Sequence, residues 1–157
     1  EIQLGKVTTE TEISDDQKTM LQKELSKKGF ELLDDKESKI INQIKTIIID
    51  QIHYRQQAIK KNFSTLLMES LHYDYAHLSR LFSSVEGKTI ERFVVAQKIE
   101  KVKELLTYDE MTLSEIAYDM GYSSTAHLSG QFKKVTGMSP TAFKKLRQQP
   151  RNPLDQL

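Results

Sequence analysis

The chain has 157 residues, 38% hydrophobic and 29% charged, with a net charge of +1 and no cysteine. That length fits one or two small domains, and the composition suits a soluble globular protein. Without cysteine there is no disulfide framework and no thiolate metal site; apolar runs such as Ile47-Ile48-Ile49 fall far short of the ~20 residues a membrane span needs.

No secretory signal pattern opens the chain. It begins at Glu1 rather than Met, so the expectation is a piece of a longer protein. The charge is uneven: residues 1–50 sum to −3 and residues 51–157 to +4. A mildly basic C-terminal two-thirds permits a polyanionic partner, although charge alone is equally compatible with an ordinary solvated surface.

Residues 1–35 read as a small strand–helix–strand segment. The β-branched run from Val7 to Ile13 suits a strand. Ser14 is placed to cap a helix over 15–28, with Asp15 and Asp16 at its start and Lys27-Lys28 at its end, as the helix dipole favours. Met20, Leu21 and Leu25 form its apolar stripe, Gly29 stops it, and a second strand starts at Phe30. So small a piece cannot bury much surface alone.

A helix follows over about 36–56. Ile40, Ile41, Ile44, Ile47, Ile48 and Ile52 give it a one-sided apolar stripe. Its polar face mixes acids and bases, which favours a core-packing helix over a membrane-surface one.

The chain then repeats itself. At an offset of 50, residues 63–93 align with 113–143 without a gap, and nine of the 31 positions are identical, including Ala76/Ala126, His77/His127, Leu78/Leu128, Ser79/Ser129 and Phe82/Phe132. Such a run points to one supersecondary unit used twice. In the second copy, Leu113, Ile116, Ala117 and Met120 make the apolar face of a short helix that Gly121 ends. Ser123 or Ser124 caps the next helix, whose inner face is Leu128, Phe132 and Val135 and which Gly137 stops. Helix, short turn, helix is the helix-turn-helix pattern, in which the second helix offers its outer face to a DNA major groove.

That outer face bears Tyr75, Ala76, Ser79 and Arg80 in the first copy (63–87), and Thr125, Ala126, His127, Ser129 and Gly130 in the second (113–137). These are the candidate base contacts. Arg80 is the sharpest of them, because its fork can bond guanine O6 and N7 together, a pairing that contributes roughly 1–3 kcal/mol of discrimination; plain solvent exposure is its competing reading. Between the copies, Thr89 to Leu106 is an amphipathic helix of about 27 Å at ~1.5 Å per residue, close to the ~34 Å turn of DNA. Ser139-Pro140 then starts a last helix that carries Phe143 inward and Lys144, Lys145 and Arg147 outward. With Ser123, Ser124, Lys133 and Lys134, those three are the candidate phosphate contacts. Residues 149–157 read as a loose tail.

The second copy matches the pattern G-[YF]-x-S-x-x-x-[LF]-x-x-x-F-[KR]-x-x-x-G-x-[ST]-P-x-x-[FY] from Gly121 to Phe143. It resembles the DNA-binding domain of the AraC/XylS family of bacterial transcription regulators over roughly 38–148. The resemblance implies a mainly α fold with two helix-turn-helix units joined by a long linker helix over 36–148. It implies a cytoplasmic, non-enzymatic transcription regulator without a cofactor, whose partner is double-stranded promoter DNA, with RNA polymerase a further candidate. Motif alignment implies base contacts at Ala76, Ser79 and Arg80, and at Ala126, His127 and Gly130. Two departures stand out: Leu71 occupies the place of Gly121, and Gly130 the place of Arg80. The family's upstream sensing domain does not fit in 1–35, which instead resembles the end half of a ferredoxin-like, heavy-metal-associated domain.

Other chemistry finds no foothold. His53, His72, His77 and His127 lack zinc spacing. Gly87-Lys88-Thr89 lacks the glycine that a phosphate loop needs five positions earlier, where Phe82 stands. The competing function is a helical protein-interaction module that uses the Ile40–Ile52 stripe.

Overall fold

Side-chain periodicity and local capping build nearly every helix of this protein. A computed structural model describes residues 2–3, 6–7, 13–30, 35–54 and 62–148. The chain divides into two compact parts, Glu1–Ser38 and Lys39–Leu157.

In the first part, β1 (Ile2–Gln3) and β2 (Lys6–Val7) pair antiparallel, Ile2 opposite Val7. Helix α1 (Asp15–Lys27) follows, capped by Ser14 as expected: the Ser14 side chain accepts from Gln17 N, while Gln17 reaches back to the Ser14 backbone. Its stripe is not buried. Met20 is 72% exposed and Leu21 41%, because no other described element of this small part closes over it. Of the first expected strand Val7 lies in β2 and Ile13 in no strand; Phe30 lies in none either, and the rest of both expected strands falls outside the described residues.

Helix α2 (Asp35–Ile49) starts the second architecture. It gives way to a π-helical turn over Asp50–Tyr54, so the regular α-helix is shorter than the expected 36–56; residues 55 and 56 lie outside the described ones. The wider turn places Gln51 and Ile52 inside together. The isoleucine stripe is core: Ile44 and Ile48 are fully buried, and Ile47 packs against the same cluster.

The two repeats then fold alike. Helices α3 (Phe63–Leu71) and α4 (Tyr75–Glu86) form the first unit, and α6 (Leu113–Asp119) and α7 (Thr125–Thr136) the second. Between them runs α5 (Ile90–Tyr108), and α8 (Pro140–Gln148) closes the described chain. The offset of 50 holds at the caps: Asn62 and Thr112, Asp74 and Ser124, and Thr89 and Ser139 each accept from the first turn of their helix. Such a cap contributes about 1 kcal/mol. Leu78, Phe82, Leu128 and Phe132 are fully buried, as are Ile99 and Val102 of α5. Phe93 and Phe143 play the same part in the two copies, with ring centroids 5.6 Å from Phe82 and 5.5 Å from Phe132.

The copies differ at two places. In the second unit Gly121 takes the left-handed conformation (φ 69°), whereas in the first α3 continues two residues further and His72 takes it instead (φ 57°). Leucine at 71 disfavours a positive φ, so the chain turns one residue later. Val135, expected to face inward, is 48% exposed. Its counterpart Val85 packs on the core, where α2 reaches the end of α4 through the Lys45–Glu86 ion pair. No equivalent of α2 covers the end of α7 among the described residues.

Candidate nucleic-acid interface

The outer faces of α4 and α7 carry the candidate base contacts. Ala76, His77 and Arg80 are exposed on the one, and Ala126, His127 and Gly130 on the other. Leucine and phenylalanine hold the opposite side of each helix in the core, so these positions are turned outward by packing rather than by side-chain preference. Ser79, Ser129 and Thr125 are half-buried at the edges of the faces.

Tyr75 is turned away. Its ring packs on the core and its hydroxyl donates to the Glu91 carboxylate of α5. Burial and that bond push the phenol well above its usual range, and the same bond holds Glu91 below the carboxylate range. Tyr75 thereby fastens the start of α4 to α5. Arg80 remains exposed, and its Nε donates to the Ala76 carbonyl at 3.3 Å, one turn back. That bond uses one of five guanidinium donors and leaves the fork free to bond a base.

On the second face, Ser124 is the cap: its Oγ accepts from His127 N at 3.1 Å. The Ser123 hydroxyl lies 3.1 Å from His127 Nδ1, and the Tyr122 ring meets the imidazole edge-on at 5.3 Å. These two contacts fix the ring and leave Nε2 as the nitrogen available to a groove. Gly130 presents no side chain, and a Cβ there would meet nothing within 4 Å.

Lys133 and Lys134 are exposed at the end of α7, and Lys145 on α8. Lys144 is engaged instead with Asp109, at the end of α5. That pairing holds α8 against the linker helix. The Arg147 side chain lies outside the described ones. Sequence reasoning missed Asp109 and Glu91 as partners, since each meets its lysine or tyrosine only through tertiary packing.

A family model described as a helix-turn-helix domain matches residues 67–146, about half of the chain. The chain belongs to the AraC-type helix-turn-helix family. Among family relatives, it is 31% identical over 67 residues to the uncharacterized HTH-type transcriptional regulator YdeC of Bacillus subtilis, covering 43% of this chain and 23% of that one. It is 32% identical over 71 residues to the melibiose operon regulatory protein of Escherichia coli, covering 45% and 24%. The chain thus spans about a quarter of the length of these relatives. The AraC-type fold is also that of the C-terminal domain of AraT, a response regulator from Geobacillus stearothermophilus, with a TM-score of 0.59 at 25% identity over 73% of this chain and 93% of that one. The DNA-binding domain of AdpA, solved with a target DNA, shares the fold at a TM-score of 0.57 and 19% identity, over 68% and 90%.

Proposed function

We propose that this chain is the DNA-binding part of a sequence-specific transcription regulator, with α4 and α7 entering successive major grooves of promoter DNA. The observation that carries the reading is the pair of recognition helices in one repeat register, each with its apolar side in the core and its polar side exposed, both packed on α5. At ~1.5 Å per residue, the 19 residues of α5 span about 28 Å, a length suited to holding two such helices near one turn of DNA apart. That no helix among the described residues is long and apolar enough to cross a membrane is compatible with a cytoplasmic regulator.

The two units divide the work unequally. Arg80 reads a guanine in the first half-site. The second unit, with Gly130 in the corresponding place, reads through His127 Nε2, with Thr125 and Ser129 at the edge of its face, and contributes phosphate contacts from Lys133, Lys134 and Lys145. Ser123, Ser124 and Arg147 are further phosphate contacts under this reading. The competing interaction-module reading loses its main support, because the Ile40–Ile52 stripe is buried within the same part of the chain.

The test is a band-shift series on duplexes selected from a random pool. Affinity falls steeply with salt, with a logarithmic slope of about −0.9 for each phosphate neutralised, and Arg80→Ala relaxes preference at one base pair without abolishing binding. Binding to no duplex, or binding that ignores salt, overturns the reading.

A further inference from the structure

Lys98 sits near the middle of α5, facing both helix-turn-helix units at once. Its Nζ lies 5.8 Å from the Phe63 ring centroid, at the start of α3, and 5.2 Å from the Tyr122 ring centroid, in the turn between α6 and α7. Both distances fall within the ~6 Å at which a cation is attracted to an aromatic face. Burial depresses the Lys98 ammonium below its usual range, and no carboxylate among the described residues pairs with it. The described structure therefore gives this desolvated charge two aromatic partners, one from each unit. An apolar side chain of the same length would fill the space without the cost of desolvating an ammonium, so packing alone does not account for lysine here.

We propose that Lys98 is a positioning residue: its ammonium, held between Phe63 and Tyr122, fixes the angle of the second helix-turn-helix unit to the first. Each unit already packs on α5 through its own contacts, but among the described elements no helix of one unit packs directly on a helix of the other. Lys98 is the one group among the described residues whose charge engages a ring from each unit. With the angle preset, a duplex that meets α4 finds α7 already in place, and the second contact costs little further ordering. This consequence rests on the two-groove reading; the preset angle itself does not.

Spin labels test the angle on the free protein. The chain has no cysteine, so Ser84→Cys on α4 and Val135→Cys on α7, both at exposed positions, take labels cleanly. The expected result is a narrow distance distribution with Lys98, an equally narrow one in Lys98→Arg, and a clearly broadened one in Lys98→Met. Should Lys98→Met not fold, Tyr122→Leu removes one of the two rings and is expected to broaden the distribution too. A distribution as narrow in the folded Lys98→Met or Tyr122→Leu protein as in the parent overturns the proposal. A second arm measures DNA. Lys98→Met loses on the order of tenfold affinity for a full site, through the added cost of ordering the second unit on binding, with affinity for an isolated half-site unchanged and Lys98→Arg restoring the loss. Equal losses on full and half sites also overturn it. If the parent binds no duplex, the two-groove reading fails while the label distances still decide the angle.

Discussion

Gly130 offers the cleanest test of how far the free fold and its DNA-facing surface answer to different demands. It is the sixth of twelve residues in α7, with no left-handed backbone to require glycine, and a Cβ there would meet nothing within 4 Å. Glycine in a helix interior costs about 0.8–1.0 kcal/mol relative to alanine. With no clash to offset the gain, Gly130→Ala is expected to stabilise the protein by close to 1 kcal/mol. For a domain of this size that raises the thermal midpoint by about 4 °C. Urea denaturation followed by circular dichroism reads the free energy directly, with the slope unchanged. A loss of stability would refute the reasoning, since it would mean that the site is crowded or non-helical. Gly130→Arg is the companion variant. It places at α7 the fork that Arg80 provides at α4, and duplexes selected with it should gain one enriched guanine in the second half-site.

Two further variants probe local costs that the structure displays. The Tyr122 hydroxyl is buried without a hydrogen-bond partner among the described residues, and leaving such a group unpaired costs about 1–3 kcal/mol; Tyr122→Phe should therefore raise the denaturation midpoint while keeping the ring against Lys98. Burial pushes the Tyr122 phenol from 10.0 up to about 12. Its folded-state value exceeds the unfolded one, so its contribution is intact below pH 10 and lost as pH climbs toward 12. Tyr122→Phe should flatten that part of the alkaline stability curve, and an unchanged curve would contradict the burial. His72 holds a left-handed backbone at φ 57°, which glycine adopts without steric cost. His72→Gly should stabilise by about 0.5–1 kcal/mol in the same urea assay, and a marked loss would show that the imidazole does more than cap α3.

What the sequence made legible was whatever local chemistry decides. Helix starts at Ser14 and Ser139 follow from side chains that accept from the next turn, and the cores of both units follow from leucine and phenylalanine at helical spacing. The doubled turn was legible too, because Leu71 in place of Gly121 announced a change of geometry that His72 then makes. The repeat misled at Val135, since matching residues implied matching surroundings, and only the first unit has α2 over its end. The π-helical turn at Asp50–Tyr54 left no mark on the isoleucine spacing. Tyr75 and Lys144 looked like surface groups because their partners, Glu91 and Asp109, lie 16 and 35 positions away. Lys98 was invisible for the same reason: a lysine on an amphipathic helix looks solvated until two rings arrive from either side.

The central claim is that two recognition helices on one stiff linker read one duplex together. Inserting five base pairs between the two half-sites of a selected duplex tests it most directly. The insertion turns the second half-site by about half a helical turn and moves it by roughly 17 Å. The predicted result is a fall in affinity to that of a lone first half-site. Undiminished affinity for the lengthened site would contradict the account.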